Sequence, residues 1–228
     1  ELLEALKGHE PHEILLVNDG STDNSQEVLM ELTNIVANFR TIQHRRKRGQ
    51  SAAVYSGVLA ARAPIVATLD GDGQNDPADI PRLFEVYKSH AKNDGRLMVT
   101  GWRKERSDHW YKRFSSRVAN IVRSFILADK TPDTGCGLKI FRREDFLRLP
   151  IFDHMHRFMP ALMIQSGGRV MSAKVNHRPR QSGNSKYGTF DRLLVGLTDI
   201  LGVIWLGRRR ISVEVLEDAE TSNTDQIN

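Results

Sequence analysis

Apolar and polar positions change rhythm along the chain in a regular way. EILLVN at 13–18 is a short apolar run, 23–39 has helical spacing, 41–44 reads as a strand and 50–62 as a second helix, before IVATLD at 65–70 returns to strand length. A helix over 78–90 and a strand at LMVTG, 97–101, follow. This alternation is the rhythm of βαβ units and predicts an α/β fold, with a mostly parallel sheet and helices on both faces. Ligands of such sheets bind beyond the strands' carboxyl ends, so Asp19, after the first run, and Asp70, after the third, are expected to be neighbours.

A second pattern stands near the end of the chain. In FDRLLVGLTDILGVIWL, 190–206, helical spacing puts Phe190, Leu193, Leu197, Leu201 and Ile204 on one face and Asp191, Thr198 and Gly202 on another. Trp205 then precedes Arg208, Arg209 and Arg210. A helix too short to span, ending in tryptophan and arginines, fits an amphipathic anchor lying in a membrane interface. An ordinary core helix is the competing expectation.

Composition narrows the class. No run reaches the roughly 20 apolar residues of a spanning helix. With Cys136 as the sole cysteine, an internal disulfide framework and a cysteine-only zinc site are excluded, which fits a reducing compartment. The chain also opens without a signal-peptide pattern, so a cytoplasmic, peripheral protein is expected. The net charge of +5 is uneven: residues 101–123 carry seven Lys or Arg against two acids, and 211–228 carry five acids and no base. The basic stretch calls for an anionic partner, and the acidic end reads as a mobile tail.

The chemistry concentrates in IVATLDGDGQNDP, 65–77. Residues i and i+2 of an extended chain point the same way, so Asp70 and Asp72 can converge on one hard cation, Mg2+ or Mn2+, with Gln74 adding a neutral oxygen. Asp76, just before Pro77, reads instead as the cap of the next helix. His44, His177 and Cys136 read as structural.

Six motifs in order carry a resemblance: VNDGSTDNS at 17–25, RGQSAAVYSG at 48–57, DGDGQNDP at 70–77, GWRKER at 101–106, TPDTGCGLKIFRR at 131–143 and HRPRQSGNSKYG at 177–188. Together they resemble family 2 glycosyltransferases, and within them the polyprenyl-phosphate branch of dolichyl-phosphate mannose synthase and the bacterial undecaprenyl-phosphate sugar transferases. The resemblance implies a Rossmann-like GT-A fold, a UDP- or GDP-sugar donor, a divalent cation and a polyprenyl-phosphate acceptor. It divides the chain into a nucleotide-sugar-binding half (1–98), an acceptor-binding half (99–188), an interfacial helix (189–210) and the tail (211–228). Relatives begin about one strand earlier than this chain, so the strand that lines the nucleobase pocket is expected to be missing.

By motif position, Asp19 would hydrogen-bond the nucleobase, and Asp70 and Asp72 would form the DxD metal pair, with Gln74 assisting. An Asp-Gly turn is the plainer role for Asp19. Arg103, Arg113, Ser116 and Arg117 resemble the lipid-phosphate clamp, a task suited to guanidinium forks, although any one of them would also serve as a solvated charge. Arg180, Ser185 and Lys186, in a loop bracketed by Gly183 and Gly188, would close over the donor diphosphate. Asp133 stands where relatives carry a base or orienter, and a Pro-Asp turn would explain it equally. Asn18 replaces the second aspartate of many relatives.

The implied reaction is inverting transfer of a sugar to polyprenyl phosphate at the cytoplasmic face of a membrane, with room for a homo-oligomer. A family 2 enzyme acting on a sugar hydroxyl is the alternative. A non-catalytic basic protein binding membrane or nucleic acid, through RTIQHRRKR at 40–48 and the 101–123 patch, is the remaining one; with aromatics at only 7%, no nucleic-acid partner is expected.

Overall fold

The computed structural model describes residues 1–9, 11–91, 95–103, 129, 131–179 and 189–211, the side chains of 189–195 excepted. After a short helix α1 (Leu2–Ala5), the chain runs β1 (Ile14–Asn18), α2 (Ser25–Ile35), β2 (Phe39–Gln43), α3 (Gln50–Ala60), β3 (Ile65–Thr68), α4 (Asp79–His90) and β4 (Leu97–Trp102). Then come β5 (Lys139–Arg142), α5 (Arg143–Leu147), a single 3-10 turn (Met155–Arg157), α6 (Met159–Gln165), β6 (Arg169–Lys174) and α7 (Thr189–Arg208). The first seven predicted elements all form, with ends shifted by a few residues.

Strand polarity differs from the expectation of a mostly parallel sheet. β1 pairs with β2 in parallel, from Ile14↔Phe39 to Asn18↔Gln43. The other four strands run β3-β5-β4-β6, with β5 antiparallel to both neighbours and β4 parallel to β6. The early strands follow βαβ connections, whereas β5 comes after a long connection from β4 and lies between β3 and β4, antiparallel to both.

Helices cover both faces, as expected, and alternation along the central strands shows how. Leu97 and Val99 of β4 and Ile140 of β5 pack with Ile80, Leu83 and Tyr87 of α4. Met98 and Phe141, one residue out of phase, pack on the other side with Val58 of α3, Phe146 of α5 and Leu162 of α6. Phe141 and Phe146 stack with ring centroids 5.2 Å apart. Both are fully buried, so cutting either to alanine costs about 3–5 kcal/mol.

The last helix packs one side on the core and leaves another exposed. Val203 is buried, and Ile200 and Ile204 pack against the main core, so Ile204 belongs to the packed side and not to the exposed stripe. Among its described side chains, Leu197, Leu201 and Trp205 are the large apolar ones left exposed, with Trp205 in the place expected of Ile204. Among the described residues no helix is long and apolar enough to cross a membrane.

Candidate active site

Asp19 leaves β1 at its carboxyl end and grips the loop that leads into α3. Its Oδ1 accepts from His44 Nδ1 and from the Arg48 N–H, both at 2.8 Å, and its Oδ2 accepts from the Gly49 N–H at 2.7 Å. Burial opposes the charge, but the hydrogen bonds from His44, Arg48 and Gly49 outweigh it and hold the carboxyl below its ordinary range. Gly20 explains the Asp-Gly pair: at φ +67° it sits under the loop, where a Cβ would lie 2.6 Å from backbone atoms of Arg46 and Lys47. Asn18, beside it, is buried and uses both ends of its amide within the protein, accepting from the Ser21 N–H and donating to Gln26 Oε1.

The next residues carry the link to the second carboxylate. Gln50, the first residue of α3, donates from Nε2 to Asp70 Oδ1 at 2.7 Å. Asp19 and Asp70 are therefore neighbours joined through Gly49 and Gln50, as their positions after β1 and β3 predict.

Asp70 sits in a space that only glycine leaves open. A Cβ on Gly137 would fall 2.3 Å from its carboxyl carbon. Burial raises the Asp70 pKa; the ammonium of Lys139 opposes that shift and the negative charge of Asp72 adds to it. A divalent cation between the two carboxylates would offset the repulsion between them, so the residues present fit Mg2+ or Mn2+. Among the described residues no group of three or more His, Cys, Asp or Glu is arranged to hold a metal. A site built on Asp70 and Asp72 alone would need its other ligands from outside the protein, as Mg2+ sites completed by phosphate oxygens do. Gln74 donates its backbone N–H to Asp72 Oδ1 at 3.1 Å, fixing the turn between them. Asp76 accepts from the Ala78 N–H and pairs with Arg178, so it shapes the turn into α4, whose first residue is Asp79.

Arg103 and Asp133 lie beside this pair and face each other. The guanidinium donates from Nε to Asp133 Oδ2 at 2.7 Å and from Nη2 to Oδ1 at 2.8 Å, and both side chains are nearly buried. Burial works against the charge of Arg103, and its fork with Asp133 raises the pKa regardless. A carboxylate held this way orients an arginine and is a poor proton acceptor. The Arg178 N–H donates to Gln74 O and His177 bridges to Asn75, so the loop carrying Asp70 and Asp72 is laced to the segment that leads toward Arg180. Arg113, Ser116, Arg117, Arg180, Ser185 and Lys186 lie outside the described residues.

Three participants escaped the sequence reading. Lys139 is buried in β5, donates to the Cys136 carbonyl and has its pKa lowered, chiefly by burial; a lone lysine inside LKIF was the available signal. Gln50 was hidden by spacing, 20 residues from Asp70. Ser51 Oγ pairs with His156 Nδ1 at 2.8 Å across 105 residues, which no local pattern reveals.

The model of the family "Glycosyl transferase family 2" matches residues 1–149. Dodecaprenyl-phosphate galacturonate synthase of Rhizobium johnstonii is 34% identical over 207 residues, 87% of this chain and 59% of that protein. Undecaprenyl-phosphate 4-deoxy-4-formamido-L-arabinose transferase of Proteus mirabilis is 32% identical over 191 residues, 83% of this chain and 57% of that protein. The chain thus spans somewhat more than half the length of these relatives. Two solved structures share the fold: mannosyl-3-phosphoglycerate synthase from Rubrobacter xylanophilus (TM-score 0.63, 14% identity, 94% of this chain and 72% of that one) and glucosyl-3-phosphoglycerate synthase from Mycobacterium tuberculosis in complex with Mn2+, UDP and glucosyl-3-phosphoglycerate (TM-score 0.57, 16% identity, 91% and 73%). The family match over more than half the chain, together with a paired-carboxylate turn at the edge of a GT-A-like sheet, makes this protein a member of glycosyl transferase family 2.

Proposed function

We propose that the protein transfers a sugar from a UDP- or GDP-linked donor to a polyprenyl phosphate, with inversion at the anomeric carbon, at a membrane surface. The observation that carries this reading is the half-buried Asp70 carboxylate beside Asp72, set against Gly137 and bonded to Gln50, the neighbour of the Gly49 that Asp19 holds. The two relatives named above carry polyprenyl phosphate in their names and support the acceptor class.

In this reading Asp19 meets the nucleobase and Asp70 with Asp72 holds Mg2+ or Mn2+. A cation there would neutralise the leaving diphosphate as the sugar–phosphate bond breaks. Arg103, presented by Asp133, joins Arg113, Ser116 and Arg117 in holding the attacking phosphate, while Arg180, Ser185 and Lys186 cover the diphosphate. A phosphate monoester oxygen is anionic near neutral pH and needs no base, so alignment and charge supply the rate. A hydroxyl acceptor would need one, and Asp133, the expected carboxylate, gives both oxygens to Arg103; this favours the phosphate acceptor.

The exposed stripe of Leu197, Leu201 and Trp205, ending at Arg208, Arg209 and Arg210, would lie in the interface of an anionic membrane, on the cytoplasmic side that a lone free cysteine suits.

The test is incubation of the protein with vesicles containing polyprenyl phosphate and radiolabelled UDP- or GDP-sugars, followed by solvent extraction. Label is expected in the lipid phase only with Mg2+ or Mn2+, to vanish in Asp72→Ala, and to fall in Leu201→Glu with vesicles but not with detergent-dispersed lipid. Undiminished labelling by Asp72→Ala, or labelling of vesicles without lipid phosphate, would overturn the proposal.

A further inference from the structure

The turn between Asp133 and β5 faces two parts of the site at once. A Cβ on Gly135 would lie 3.4 Å from Arg103 Nη2 and 3.7 Å from Asp133 Oδ1, and one on Gly137 would fall onto the Asp70 carboxyl. Two residues apart, these glycines set the backbone against the arginine fork on one side and against the Asp70 carboxylate on the other.

The three carbonyls that follow Gly135 are each held by another segment or by β5 itself. Cys136 O accepts from the Lys139 ammonium, Gly137 O accepts from Thr68 Oγ1 at 2.6 Å, and Leu138 O accepts from the Gly101 N–H at 2.9 Å. Lys139 is a costly residue to spend on this. It stands in an inner strand, opposite Thr68 of β3 and Thr100 of β4, with 4% of its surface exposed. A buried ammonium is unfavourable unless it is paired. What it brings is a hydrogen bond from an ionised donor, roughly twice as strong as one between neutral groups.

From this placement we infer that Lys139 is a positioning residue for the site: with Thr68, it fixes the Gly135–Gly137 turn, so that Asp70 and the Arg103–Asp133 fork keep their places on either side of it. The inference rests on the proposed binding of a divalent cation by Asp70 and Asp72. Lys139 acts through the Cys136 carbonyl; once that bond is lost the turn draws away and Asp70 loses the backing that aims it alongside Asp72. Its charge works the other way, because a fixed cation that acts on Asp70 repels a second cation. The two effects on metal binding have opposite signs, and a measurement can tell them apart.

Electron paramagnetic resonance of free Mn2+ with UDP present, run on variants whose folding is checked by urea unfolding, tests this. Lys139→Met, close in shape but without a donor, is expected to weaken Mn2+ binding roughly 10- to 100-fold, as loss of an outer-shell partner does. Lys139→Gln, which keeps an N–H donor on a shorter arm, is expected to restore part of it. Thr68→Val, the same shape without the hydroxyl and suited to a strand, releases Gly137 O and is expected to weaken binding in the same sense. Tighter Mn2+ binding by Lys139→Met would make the lysine a repelling charge and overturn the assignment. Unchanged affinity in Lys139→Met, with or without lost stability, would overturn it as well. Should Lys139→Met fail to fold, unchanged affinity in Thr68→Val would overturn it alone. Failure of the wild type to bind Mn2+ would instead overturn the metal reading, and this one with it.

Discussion

Gln50 Nε2 stands 2.7 Å from Asp70 Oδ1, and Gly49, one residue earlier, donates its N–H to Asp19 Oδ2 at the same distance. Gly49 and Gln50, adjacent residues at the start of α3, thus tie the Asp19 and Asp70 carboxylates to one another. Gly49 adopts φ +92°, a conformation glycine reaches without strain, which lets the chain turn from one partner to the other. Loss of the Gln50 amide would leave Asp70 to rotate in its cradle. Gln50→Ala is expected to weaken Mn2+ binding roughly 10- to 100-fold, the usual effect of removing an outer-shell partner. Electron paramagnetic resonance of free Mn2+ in the presence of UDP reads this directly, and unchanged affinity would reduce Gln50 to a surface contact.

Arg103 and Asp133 form a nearly buried fork, so the two single variants and the double variant should behave differently. Asp133→Ala leaves a buried guanidinium uncompensated and is expected to cost about 3–5 kcal/mol of stability in urea unfolding at pH 7. The double variant Arg103→Met, Asp133→Leu removes both charges and is expected to recover most of that loss while staying inactive in sugar transfer. Activity retained by the double variant would remove Arg103 from the acceptor site.

His156 accepts from Ser51 Oγ through Nδ1, and its own N–H returns a bond to the same oxygen. Burial drives its pKa down from 6.5 to about 3, with the charges of Arg157 and Lys139 adding to the shift. Between those values the unfolded chain binds a proton that the folded one refuses, so stability rises with pH across this window. The contribution is complete above pH 6.5 and is lost on acidification toward 3, at about 1.4 kcal/mol per pH unit. Urea midpoints at pH 7, 6 and 5 measure it. His156→Gln is expected to flatten the slope, and an equally steep profile in that variant would place the titrating group elsewhere.

Local periodicity made most of the early fold legible. β1, α2, β2, α3, β3, α4 and β4 fall where the alternation of apolar runs and helical spacing puts them, because each is a short segment whose buried face repeats at a fixed interval. The neighbouring placement of Asp19 and Asp70 followed from the same rhythm and the rule that such sheets bind ligands at their carboxyl ends. The polarity of β5 was not legible, since KIFR reads the same in either direction and its place between β3 and β4 depends on a path through the whole molecule.

The chain's sequence alone determined the α/β class, the paired aspartates and the order of the six motifs, all of which are encoded within a few residues of each other. Only the tertiary structure decided which donors fill Asp19, that Gln50 steadies Asp70, that Arg103 and Asp133 answer each other, and which side of α7 stays bare. Those are contacts between segments 20 to 105 residues apart or the outcome of one face winning the core. A hydrogen bond needs its partners within about 3 Å, and no spacing along the chain fixes that distance until the sheet has formed.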